Sequence, residues 1–459
     1  MMENAYLVSC SVKGIKNIDT LVTLSFYKKT IEKDLDVQNY NIKGIYGVNG
    51  SGKSGIIMSM EILKNLICDS DYLNNPITQK NLEEIINKKT QELFIQVDYL
   101  IKAEDELLYF KYNITLSKDM VGKYVISHEQ LQFRSAFSKK EEMDTIFEIS
   151  NGEIVLLYDE ERKEEVSRAI YQKTMNLLST ATISALSMEK LFAQFFKEDE
   201  NSYSFLFGGL ILLYLFGKSI YVYLDKSDDH REYVARNSIE QFGDQGKYST
   251  EMYLLKNHLY KVDNGSCEMI SVVENLIYKP MYQQFEKTVD GLFEFLHIFK
   301  PDLKKIEIEK KENKKLLICN LIMVYDSYKI HAEFESTGIK KLIRLFGFLK
   351  EMVQGGIVFI DELDSNLHDV YLCALLEYLM EYGEGQLCFT THNVGPMDVL
   401  KQRKKSIDFL SEDHKIYSWR KNGNYSPSKL YRSGMIEGSP FNIDSIDFIG
   451  AFGLDGEDE

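Results

Sequence analysis

GIYGVNGSGKSG, residues 44–55, follows a short apolar run and leads into an apolar helical pattern. Gly47 to Ser54 match G-x-x-x-x-G-K-[ST] in full. In such a loop Asn49, Gly50, Ser51 and Gly52 turn backbone N–H groups inward toward phosphate oxygens. Lys53 would neutralise the β- and γ-phosphates, and the Ser54 hydroxyl would ligate Mg²⁺. The flanks supply the required context. NIKGIYG reads as a strand, and KSGIIMSMEILKNLIC reads as a helix with Ile56, Ile57, Met60, Leu63 and Ile67 on one face. The positive end of that helix adds its dipole to the anion cradle. ATP and Mg²⁺ are the expected ligands, and an α/β P-loop fold is the expected class.

The rest of the chain bounds the reading. Its 459 residues are enough for two or three lobes, and a hydrophobic content of 44% is ordinary for a globular protein. A net charge of -16 argues against nonspecific coating of nucleic acid, which needs concentrated Lys and Arg, although a local basic patch is compatible with it. The cysteines show no paired spacing and read as reduced core residues of a cytoplasmic protein. MMENAYLVSC lacks the pattern of a signal peptide. FLFGGLILLYLFG (205–217) is short for a membrane span, so a buried helix or a helix packed on a partner is expected, and no membrane.

Residues 92–135 alternate like antiparallel strands, and residues 160–300 carry apolar residues at helical spacing without sustained heptads. Strands return in KKIEIEK, KLLICNLIMVY and YKIHAEFE, and the tail DGEDE reads as disordered. The elements around the nucleotide thus fall at both ends of the chain.

Three further stretches carry chemistry. In GGIVFIDELDSNLHD (355–369), Ile357 to Ile360 form a buried strand ending in Asp361-Glu362. Asp361 would hold Mg²⁺ and Glu362 would polarise the attacking water, the structural alternative being an acidic cap on the following helix. CFTTHN (388–393) is a strand ending in His392, 30 residues after Glu362 and beyond one helix, which places it beside the Asp-Glu strand. In ESTGIKKLIRLFGFLKEM (335–352), Ser336 and Gly338 open an amphipathic helix, by themselves an ordinary N-cap.

The order glycine loop, Ser-x-Gly helix, Asp-Glu strand with DSNLH, then Thr-His resembles the head of ABC-class ATPases. It is most similar to the RecF/SMC/OLD branch of these soluble AAA-family ATP-binding proteins. STG (336–338) stands where those heads carry a signature Ser-Gly-Gly and departs from it at the second position. VKGIKNI (12–18) resembles their first strand and turn, from which Lys16 would reach the nucleotide. The resemblance covers about 1–60 and 300–420. It implies two heads that sandwich two ATP molecules, with Ser336 and Gly338 of one copy on the γ-phosphate held by the other. It also implies Asp364 at the dimer seam, His392 as switch histidine and a Mg²⁺-ligating glutamine for which Gln96 is a candidate.

The expected architecture is therefore an ABC-type ATPase head, a P-loop mixed sheet core with an antiparallel β lobe, plus a helical insertion. Residues 1–135 hold the loop and β lobe. Residues 136–300 are the mainly helical insertion, a plain support or a partner-docking surface. Residues 301–459 hold the signature, Asp-Glu strand and switch histidine. The 67 residues after His392 are too few for the nuclease domain of OLD-type proteins, so no nuclease is expected. The chain also resembles ATPases of bacterial abortive-infection systems, which implies ATP hydrolysis in a homodimer or higher oligomer that controls a separate effector. The alternative is a RecF-like DNA repair or chromosome-maintenance ATPase, for which KQRKKS (401–406) would offer a DNA contact or else be a solvated turn.

Overall fold

The computed structural model describes residues 5–28, 30–31, 35–103, 106–138, 142–158, 176–188, 205–224, 270–313, 316–420 and 425–439. Its first sheet is built from β1 (Tyr6–Lys13), β2 (Val22–Ser25), β4 (Glu92–Ala103), β5 (Glu106–Lys118) and β6 (Tyr124–Ser135). These strands are rich in β-branched and aromatic residues, which suit a pleated surface with one covered face. They pair antiparallel in the order β2-β1-β4-β5-β6, and the sheet continues into β7 (Asp144–Ser150) and β8 (Glu153–Leu157). The last two strands lie in the stretch read as mainly helical. Asn151 and Gly152 join them with φ of 50° and 79°. This Asn-Gly turn matches the twist of a hairpin, a local signal that outweighs the helical spacing around it.

The second sheet carries the glycine loop. It consists of β3 (Ile42–Tyr46), β9 (Ile220–Tyr223), β14 (Ile357–Ile360), β15 (Gln386–Thr390), β16 (Ile407–Leu410) and β17 (Ile416–Ser418). The spatial order is β17-β16-β3-β15-β14-β9. All pairs are parallel except β16 with β17. A parallel sheet covered on both faces demands continuous apolar strands, and every residue of β3, β14 and β15 is buried. Ile357 and Phe359 face a core shared with the first sheet, α1 (Lys53–Cys68) and α3 (Phe205–Ser219). Val358 and Ile360 face the opposite core, beneath α5 (Thr337–Val353) and α6 (Asp369–Tyr382). The Gln386 side chain accepts from the Leu7 N–H at 2.6 Å and donates to the Leu7 carbonyl at 2.9 Å, tying the two sheets together.

A smaller antiparallel sheet pairs β10 (Asn275–Tyr278), β12 (Leu316–Val324) and β11 (Lys305–Asn313), with β13 (Lys329–His331) beside β12. It packs on α4 (Tyr282–Phe299). The helical reading of 274–299 holds only from Tyr282. Pro280 disfavours helix in the residue before it, and Asn275–Tyr278 pair with β12 instead. The helical readings of 164–179 and 187–196, and the tail 455–459, fall largely or wholly outside the described residues.

The apolar run 205–217 becomes α3, packed between α1 and β7. Glycines permit this approach. A Cβ on Gly217 would lie 2.7 Å from Ile67, and one on Gly209 would lie 2.8 Å from Ile146. Among the described residues no helix is long and apolar enough to cross a membrane.

Candidate active site

The carboxyl ends of three parallel strands converge. Ile45 stands level with Thr390, and Ile360 with Phe389. From these ends the chain enters the glycine loop, Asp361-Glu362 and Thr391-His392 respectively. Open α/β sheets bind ligands at this edge, and a cavity of about 660 Å³ lies there. Asn49, Gly50, Gly52, Lys53 and Ser54 line it from the loop and the start of α1. Glu362, Thr390 and His392 line it from the strand ends, and Lys16 and Asn17 from the turn after β1.

The glycine loop is shaped by its neighbours. Gly52 caps α1 with φ of 104°, and a Cβ there would lie 2.7 Å from Ile18. The Asn17 amide donates to the Gly50 carbonyl. The Lys16-Asn17 turn is itself anchored, because the Lys16 N–H donates to the Ile85 carbonyl at 2.6 Å and Asn87 donates to the Lys16 carbonyl at 2.8 Å. Lys53 is 6% exposed and donates to the carbonyls of Gly47 at 2.8 Å and Val48 at 3.0 Å. Burial lowers its pKa, opposed by the charges of Asp361, Glu362 and Asp364. Ser51 is buried, and its hydroxyl has no partner among the described residues. An ammonium resting on carbonyls beside an unpartnered hydroxyl and a helix N-terminus fits a polyanion that would accept from all three.

Two acidic residues follow the neighbouring strand end. Asp361 is buried, and its N–H donates to the Tyr223 carbonyl at 2.8 Å. Thr390 Oγ1 donates to Asp361 Oδ1 at 2.6 Å and accepts from the Glu362 N–H at 2.8 Å. Glu362 itself has φ of 48°, a left-handed conformation that costs a non-glycine residue about 1 kcal/mol or more. Its side chain is exposed toward the cavity it lines. Ser54 lines the cavity and Asp361 does not, and both carry hard oxygens of the kind that hold Mg²⁺ together with substrate phosphates.

Other residues singled out from the sequence stand apart from this cavity. Ser336 is exposed and caps α5, its Oγ accepting from the Ile339 N–H at 3.4 Å. Gly338 lies against the Asn366 carbonyl, where a Cβ would come within 2.7 Å. Asp364 is half-buried, and its Oδ1 has no partner among the described residues. None of the three lines the cavity, nor do Ser51 and Asp361, although the charges of Asp361 and Asp364 act on Lys53. Gln96 also does not line it. Its amide donates to Asp98 at 3.3 Å within β4.

Sequence reasoning passed over Asn17, which adjoins Lys16, and Thr390, two residues before His392. It also passed over Lys341, whose only signal was a lysine on an amphipathic helix. The basic run 401–406 proves largely engaged inside the chain. Lys405 donates to Ser25 Oγ and the Tyr27 carbonyl, both at 2.7 Å. Arg403 donates to the Met380 carbonyl at 2.8 Å, and Lys404 lies over the Tyr40 ring.

The glycine loop at the end of a parallel strand, opening a helix, is that of a P-loop nucleotide-binding domain, and similarity to an AAA domain family supports an AAA-type ATPase. The comparison with known families agrees: the family described as "AAA domain, putative AbiEii toxin, Type IV TA system" matches residues 217–398. The matched segment holds β9, α5, the Asp-Glu strand and His392, while the glycine loop lies upstream of it. No curated protein matches the chain.

Proposed function

We propose that this chain binds and hydrolyses ATP in a site completed by a second copy of itself, and that the ATP-bound dimer controls a separate effector in bacterial abortive-infection defence. One observation carries the reading. The cavity gathers Lys53, Ser54, Glu362 and His392, whereas Ser336, Gly338 and Asp364 stand outside it, at and beside an exposed helix N-terminus. A head whose γ-phosphate ligands come from its partner has this division.

In the proposed reaction Lys53 exchanges the Gly47 and Val48 carbonyls for phosphate oxygens. The loop N–H groups hold the β-phosphate, and Glu362 polarises the water in line with the leaving group. His392 contacts the γ-phosphate from the adjacent strand. Thr390 keeps Asp361 and Glu362 in register throughout. Mg²⁺, held by Ser54 and Asp361, would neutralise charge between the β- and γ-phosphates. The family description, which names a toxin and a toxin–antitoxin system, supports the defence setting and a protein partner. The DNA-repair alternative drew its charge argument from residues 401–406, and internal contacts take up much of that charge.

The test is Glu362→Gln with ATP. The variant is expected to bind nucleotide, form a stable dimer by mass photometry and turn over at least about 100-fold more slowly than wild type. Wild-type turnover would overturn the assignment of the base. A monomer at saturating ATP would overturn the dimer.

A further inference from the structure

Lys341 opens the second turn of α5, yet it is 3% exposed. A buried ammonium needs acceptors for its protons. Its Nζ donates to the backbone carbonyl of Glu362 and to Ser365 Oγ. The same end of α5 touches the same loop twice more. Thr337 Oγ1 lies 3.3 Å from Asn366 Oδ1, and Gly338 packs on the Asn366 carbonyl. The loop 362–366 is bent at both ends, with φ of 48° at Glu362 and 59° at Asn366. The Glu362 peptide is thus gripped on both sides, its N–H by Thr390 of β15 and its carbonyl by Lys341 of α5.

We propose that Lys341 is a positioning residue that sets the backbone of Glu362 according to the state of the α5 N-terminus, so that engagement of Ser336 and Gly338 by the nucleotide of the second copy prepares the glutamate of the chain's own site. The proposal rests on the dimeric reading above and adds a route between the two sites. Lys341 touches neither nucleotide. It acts through the peptide that carries the base, where a small misplacement costs rate more than affinity.

Lys341→Met tests it, since the substitution keeps the unbranched stem of the side chain and removes its donors. Affinity for a fluorescent non-hydrolysable ATP analogue is expected to stay within about twofold of wild type, while kcat falls at least about tenfold. The rate of wild type is expected to rise sigmoidally with ATP, and the residual rate of the variant hyperbolically. In the Glu362→Gln background the ATP-dependent dimer should persist with Lys341→Met. Lys341→Gln, which retains a donor, should recover part of the rate. A wild-type kcat would overturn the proposal, as would a loss of rate matched by an equal loss of affinity or of dimer, because Lys341 would then merely support α5. If Lys341→Met does not fold, Ser365→Ala removes one acceptor of the same ammonium and should lower kcat in the same direction with unchanged affinity. A parent protein that stays monomeric with ATP would sink the dimeric reading instead, and the kcat of Lys341→Met against its affinity would still decide whether the grip on Glu362 matters.

Discussion

Lys53 and Glu362 divide binding from chemistry. Lys53 already rests on loop carbonyls that a triphosphate would replace, so Lys53→Ala should lose the ammonium and weaken ATP binding by on the order of 100-fold in equilibrium titration. Retained affinity would mean that the loop N–H groups suffice. A second residue makes a prediction about stability. Glu129 is fully buried in the β lobe, where Tyr112 donates to it at 3.0 Å and the Ile183 N–H at 3.3 Å. Burial pushes its carboxyl up to about 8 despite these bonds. An unfolded glutamate titrates near about 4.3. Between the two values the folded chain holds a proton that the unfolded chain has lost, so stability falls as pH rises through this window. The slope reaches at most about 1.4 kcal/mol per pH unit, and the loss is complete above the folded value. Glu129→Gln should flatten the fall in melting temperature between pH 5 and 8.5. An unchanged fall would place the dependence elsewhere.

At the scale of elements, α3 is held by close approach. Gly217 admits Ile67 and Cys68, and Gly217→Val should overpack the contact with α1 and destabilise the chain by about 1–3 kcal/mol, read from its urea midpoint. An unchanged midpoint would mean that α1 and α3 shift apart freely. Much of the element pattern was legible because its causes are local. The glycine loop, the apolar strand at 357–360 and the alternation over 92–135 each state their structure within a few residues. The strands at 144–157 were missed although Asn151-Gly152 announces a hairpin, because the insertion was drawn from residue 136 while its helical spacing begins only near 160. The strand at 220–223 was missed for a different reason. Its pairing with β14 joins residues more than a hundred positions apart, and no local pattern encodes that. The same holds in the site. Spacing could select Asp361, Glu362 and His392, but the grip of Thr390 and Lys341 on Glu362 depends on which helix lies across which strand end.

For the molecule as a whole, the first and second sheets are pinned by a side chain whose charge suggested another use. Lys405 reaches across to Ser25 of β2 and to Tyr27, while Lys43 and Asp408 form a buried pair at 2.6 Å within the second sheet, between β3 and β16. Arg403→Glu, Lys404→Glu and Lys405→Glu together should therefore lower thermal stability while leaving the salt slope of any DNA binding unchanged, a result that an electrophoretic titration at several salt concentrations would check. A slope reduced by the substitutions would return these residues to a nucleic-acid surface.

The central claim is that each ATP is hydrolysed between two copies. Lys53→Ala spoils one wall of the site and Ser336→Arg spoils the wall given to the partner. Each variant alone should be inactive. An equimolar mixture creates dimers in which the intact loop of one chain meets the intact Ser336 of the other, so hydrolysis should return to at most about one quarter of wild type, since half of the dimers carry one of two working sites and the α5 N-terminus of the hydrolysing chain meets no ATP there. A mixture as inactive as its components, or a Ser336→Arg protein that hydrolyses ATP at full rate alone, would contradict the account.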